Sequence, residues 1–153
     1  KLGIESGDQG VLDRMGKGID LAMVSLALQS LKKAGIATYV YLLFGTPYES
    51  LAEARKTLEF TANHHNEIGF LNLALFNMPL CSELTDEFET SSFYDGDLSL
   101  YTDFTHPHGW NRRRVRDFLE NEFKRHSAIA SILKKDPTIF TSNHAPFFVM
   151  DQG

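Results

Sequence analysis

Glu5 is the first residue whose placement suggests chemistry. It stands in Leu2-Gly3-Ile4-Glu5-Ser6-Gly7, at the end of a short apolar run that reads as a β-strand. A carboxylate at a strand end can accept hydrogen bonds from a ribose or pair with an ammonium group, as acidic residues do in nucleotide sites. Its plainer use is to cap the next turn. Lys17, between Gly16 and Gly18, lacks helical neighbours and can turn its ammonium toward an anionic ligand at the same rim, or stay a solvated loop lysine. Gly45-Thr46-Pro47 precedes a capped helix, where free backbone N–H groups and the positive helix end suit an anion or a cofactor's polar edge. With no ligand it is an ordinary strand-to-helix turn.

Other reactive residue types carry weaker patterns. His64-His65 and His106-Pro107-His108 invite a metal, but no spacing matches a zinc pattern. Cys81 is the one cysteine, without an adjacent histidine as base or a second cysteine two residues away, which argues against nucleophilic catalysis. Arg112-Arg113-Arg114 with Arg116 and Trp110 resembles a phosphate-facing patch, although a solvated helix face is the commoner outcome of such a run.

The elements that must position these groups alternate. Residues 1–5 read as a strand, and Asp8 caps a helical segment over 9–15. Asp20 caps a longer helix to residue 33, with Leu21, Val24, Leu28 and Leu31 on one stripe and Gly35 beyond its end. The run Tyr39-Val40-Tyr41-Leu42-Leu43-Phe44 reads as a strand buried on both faces. Ser50 with Glu53 forms a capping box for a helix striped by Leu51, Ala54, Leu58 and Ala62. Residues 68–76 form a further apolar strand. Two consecutive βα units predict an α/β fold with parallel strands and flanking helices. Residues 85–109, acidic and aromatic, read as a long loop with a short strand near 98–102. Residues 110–153 read as a helical extension with Val115, Phe118, Leu119 and Phe123 inward, a second helix from Ser127, and an apolar tail that packs against something.

Composition sets outer bounds. A chain of 153 residues with 42% hydrophobic and 23% charged residues suits one globular domain. A net charge of −5 disfavours generic nucleic-acid binding. No apolar run approaches the ~20 residues that cross a bilayer, no secretory signal pattern is present, and a single cysteine fits a cytoplasmic setting. The chain opens as a strand already under way, which leads us to expect a piece of a longer protein.

Three segments together resemble the second half of a radical S-adenosylmethionine (SAM) domain, closest to methylthiotransferases, Elongator-type proteins and cobalamin-dependent Fe–S oxidoreductases. They are Leu2-Gly3-Ile4-Glu5-Ser6-Gly7 with Val11-Leu12, Met15 and Lys17-Gly18; Lys33-Ala34-Gly35-Ile36 with the central strand and Phe44-Gly45-Thr46-Pro47-Tyr48-Glu49-Ser50; and Phe76-Asn77-Met78-Pro79-Leu80-Cys81-Ser82-Glu83-Leu84. The resemblance covers residues 1–84 and implies the C-terminal half of a partial (β/α)6 TIM-like barrel. It implies that Glu5 contacts the ribose or methionyl amine of SAM and that Lys17 pairs with the methionyl carboxylate. Leu43 and Gly45 would lie along the adenine, with Phe76 and Asn77 closing its far side.

The family's [4Fe–4S] cluster needs three cysteines in a CxxxCxxC loop. This chain has one, so the ligands must lie outside it. Tyr48 stands where members often have glycine. The resemblance implies a radical SAM enzyme that reductively cleaves SAM to a 5′-deoxyadenosyl radical, with the isolated chain inactive and cobalamin left open as a further cofactor of the whole protein. Two other classes remain in view: a non-catalytic α/β module binding a protein through residues 85–109, and a metal-dependent (β/α)-barrel hydrolase using His106 and His108. A half-barrel also exposes sheet edges, which predicts a homodimer or coverage by the apolar tail.

Overall fold

The computed structural model describes residues 1–135. Three parallel strands form its centre in the order β1 (Leu2–Glu5), β2 (Tyr39–Phe44), β3 (Phe70–Leu75). Between them run α1 (Gln9–Arg14), α2 (Leu21–Lys33) and α3 (Leu51–Asn63). The helix starts follow local chemistry. Asp8 accepts from Val11 N–H, Asp20 accepts from Met23 N–H, and Ser50 with Glu53 makes the reciprocal capping box. Gly35 takes the left-handed conformation that ends α2, with φ of 71°.

The sheet's two faces differ. Ile4, Val40, Leu42, Phe44 and Leu71 point into the main core, where Leu28 of α2, Ala54 and Leu58 of α3 and the C-terminal helices cover them. The opposite face carries Tyr39 and Phe70, packed with Tyr41, while Leu43, Asn72 and Ala74 are half-buried. The expectation that β2 is covered on both faces therefore holds only in part. Its even-numbered residues are sealed by helices, whereas toward the end of the strand the odd-numbered ones are left half-covered.

Residues 78–104 are more ordered than a loop. A second, antiparallel sheet joins β4 (Met78–Pro79), β6 (Tyr101–Phe104) and β5 (Thr90–Ser91) in that order, with the short helix α4 (Leu84–Glu87) between β4 and β5. The strand expected near 98–102 thus begins later and gains two partners. Asn111 caps α5 (Arg112–Phe118), which passes into a π-helical turn over Leu119–Phe123, and α6 (Ser127–Leu133) follows. Val115, Phe118, Leu119 and Phe123 are all buried, and Phe44 packs against the Phe118 and Phe123 rings at 6.2 and 5.3 Å. The apolar tail at 138–153 lies outside the described residues. Among the described residues no helix is long and apolar enough to cross a membrane.

Candidate functional site

The parallel strands end together, and the acid and lysine singled out from sequence meet there. β1 pairs with β2 through Leu2–Val40 and Gly3–Tyr41, then slips so that Glu5 stands opposite Leu42. At that slip Glu5 takes φ of 67°, the one positive φ at a non-glycine residue among those described. A left-handed residue costs energy and is sustained only when its surroundings hold it, and irregularities of this kind re-aim side chains at strand ends. The Glu5 carboxylate lies toward Gly3: a carbon added there would meet Oε1 at 3.8 Å. Gly3 pairs with Tyr41, so the carboxylate is on the half-covered face that also carries Leu43.

Lys17 reaches back to this carboxylate. Its Nζ donates to Glu5 Oε1 at 2.8 Å and lies 2.8 Å from Oε2, which is buried and receives no aligned hydrogen bond. Gly16 and Gly18, both with positive φ, give the Lys17 loop its sharp path. Beside it, Arg14 donates to Tyr48 O at 2.9 Å and stacks over the Tyr48 ring at 5.8 Å, fastening α1 to the turn after β2. A cleft of about 240 Å³ opens here, lined by Met15, Thr46, Pro47, Tyr48, Phe76 and Leu84.

Gly45, Phe76 and Asn77 face the chain's own later segment. A carbon added at Gly45, whose φ is 82°, would meet Val115 Cγ2 at 3.3 Å. The Phe76 ring packs edge-on against Phe104 at 5.9 Å, and Arg112 donates to Asn77 Oδ1. The six residues named from sequence therefore divide. Glu5, Lys17 and Leu43 belong to the half-covered face, whereas Gly45 and Asn77 contact residues 112–115, with Phe76 between the two regions.

No sequence pattern assigns Glu49 a role, yet it organises this end of the sheet. It is fully buried, and its Oε2 accepts from Gly45 N–H at 2.6 Å and from the Trp110 indole N–H at 2.8 Å. Burial pushes its carboxyl up to about 7, against the opposing pull of those two donors. His106 donates from Nε2 to Thr46 O at 2.8 Å, and its Nδ1 accepts from the backbone N–H of His108 and of Trp110. This is a neutral tautomer, and burial holds its pKa below the ordinary histidine value. A glutamate between a glycine turn and a capping box was the available signal for Glu49. Its tryptophan partner, 61 residues away, was not predictable locally.

The other sequence candidates find structural uses. Trp110 is a core residue, not part of an exposed phosphate patch. Both ring nitrogens of His106 are engaged within the chain. His64 bonds Ser25 Oγ through Nε2 at 2.9 Å and packs on Phe60. Among the described residues, no group of three or more His, Cys, Asp and Glu side chains is arranged to hold a metal. Cys81 is exposed, and one thiolate cannot ligate a [4Fe–4S] cluster, so the donor set of this chain does not fit that group. The acid and the lysine carry the two charges that an amino-acid zwitterion would need opposite its own. No family model matches the chain, no curated protein does, and no solved structure does.

Proposed function

We propose that this chain supplies the SAM-binding side of a radical SAM enzyme, its parallel sheet being the latter part of an incomplete (β/α)6 barrel. The observation that carries the reading is Glu5: a left-handed non-glycine residue at a parallel strand end, its carboxylate paired with Lys17 on the half-covered sheet face. In this reading the methionyl zwitterion exchanges one internal ion pair for two external ones. Glu5 takes the ammonium or a ribose hydroxyl, for which Oε2 retains acceptor capacity, and Lys17 takes the carboxylate. Leu43 offers the adenine an apolar flank.

SAM so held supplies the radical chemistry of the family. The cluster's ligands are assigned to no residue of this chain. Equilibrium titration with SAM tests the reading: saturable binding is expected, weakened at least tenfold by Glu5→Gln or Lys17→Ala. Absence of binding, or indifference to both substitutions, overturns it.

A further inference from the structure

The segment from residue 80 to 101 carries more exposed large apolar side chains than any other part of the described chain. Leu98 is 94% exposed, Leu100 78% and Tyr94 66%, and Leu80, Phe93 and Tyr101 are also open to solvent. Side chains of this size are scattered singly on most surfaces, but here six fall on one short stretch. The stretch is held in shape by Leu80 N–H donating to Leu100 O at 2.9 Å, by the Pro79–Tyr101 pairing and by Ser99 N–H donating to Asp97 at 2.8 Å. Leu84, within this stretch, lines the cleft beside Tyr48.

Its charge is one-sided. Glu83, Asp86, Glu87, Glu89, Asp95 and Asp97 are interspersed with these side chains along the chain, and no lysine or arginine occurs between Lys56 and Arg112. Arg112 itself sits 5.8 Å from the centre of the Phe93 ring, so a cation already uses one of these aromatic faces. A nucleic acid or an anionic membrane would be repelled. A second copy of the chain, net −5 and acidic at the same place, would be repelled as well.

We propose that the surface at residues 80–101 docks a lysine- or arginine-rich amphipathic stretch of a partner protein, its apolar side chains on Leu98, Leu100 and Tyr94 and its cations toward the carboxylates of the same segment. Opposite charges steer the encounter and the apolar contacts hold it. The proposal is independent of SAM binding, and its test uses no cofactor. A short fluorescent Leu/Lys peptide patterned as an amphipathic helix is titrated with the whole chain by anisotropy. A Leu/Glu peptide, a thymidine oligonucleotide and phosphatidylserine vesicles are titrated alongside.

Saturable binding of the Leu/Lys peptide alone is expected. Leu98→Ser/Leu100→Ser should weaken it at least tenfold, and Glu87→Gln/Asp95→Asn should flatten its salt dependence. All four residues are exposed, and an unchanged circular dichroism spectrum verifies that the fold persists. The proposal fails if the leucine double variant binds as wild type does, or if any of the three anionic probes binds as tightly. It fails equally if the chain self-associates through these leucines.

Discussion

The indole N–H of Trp110 donates to the Glu49 carboxylate at 2.8 Å, joining the turn after β2 to the segment that leads into α5. The same carboxylate accepts the Gly45 N–H, so one buried group holds the strand-end turn and the C-terminal helices in register. Thr46 O, bonded by His106, supplies a second tie between the same two segments.

This arrangement predicts a pH-dependent stability. The folded chain keeps the Glu49 proton up to about pH 7, whereas an unfolded glutamate releases it near 4.5. Between those values the folded state binds more protons, so stability is lost as pH rises, by on the order of 3 kcal/mol for this group. His106 acts in the opposite sense. Its lowered folded value means that its contribution is complete above about pH 6.5 and is lost as pH falls from there through the lower folded value. Urea unfolding from pH 4.5 to 8 of wild type and Glu49→Gln separates the two: the difference should grow in favour of the variant as pH rises. Because Trp110 is the only tryptophan, its fluorescence should report the same titration and lose it in the variant.

Phe44→Ala should destabilise the chain by about 3–5 kcal/mol, since the ring is fully buried against Phe118 and Phe123 and the space cannot refill without moving two helical segments. Equilibrium urea denaturation measures this. A loss under about 1 kcal/mol would show that the C-terminal helices do not seal the sheet as described.

Gly7→Ala tests how closely α3 approaches the turn after β1. An added carbon would stand 2.7 Å from Phe60 Cβ and from the Thr57 backbone, so the helix must shift. The same turn is fastened by Gly7 N–H donating to Thr57 Oγ1 at 2.9 Å. A cost of about 1–3 kcal/mol is expected by thermal or urea unfolding, the range for overpacking against backbone.

Ser50→Ala removes the N-cap of α3 and half of its capping box with Glu53. Helix caps contribute about 1 kcal/mol, so a loss of that order is expected in urea unfolding. Ser50 lies beside the Glu49 clamp but shares no hydrogen bond with it, so the Trp110 fluorescence titration should be unchanged.

Much of the fold was legible because it is encoded locally. Asp8, Asp20, Ser50 and Gly35 each signal a helix boundary within a few residues, and the apolar run ending at Phe44 marks a strand by itself. Residues 78–104 were less so, because their order comes from pairing Met78–Pro79 with Tyr101 and Thr102, more than twenty residues on, which no local periodicity records. The π-helical turn, where Lys124 N–H reaches Leu119 O, depends on packing that a helical stripe does not distinguish. At the site, Glu5 and Lys17 were legible as a strand-end acid and a glycine-flanked lysine. Glu49, Trp110 and His106 were not, since each takes its meaning from a partner about sixty residues away.

In the proposed site Glu5 and Lys17 divide a methionyl zwitterion between them. Calorimetric titration of wild type and Lys17→Ala with SAM and with its decarboxylated analogue tests this directly, because the lysine and the ligand carboxylate should behave as one interaction. Removing either should weaken binding by a similar factor, and removing both should add little more. Independent, multiplying losses, or a wild-type chain that binds neither ligand, would contradict it.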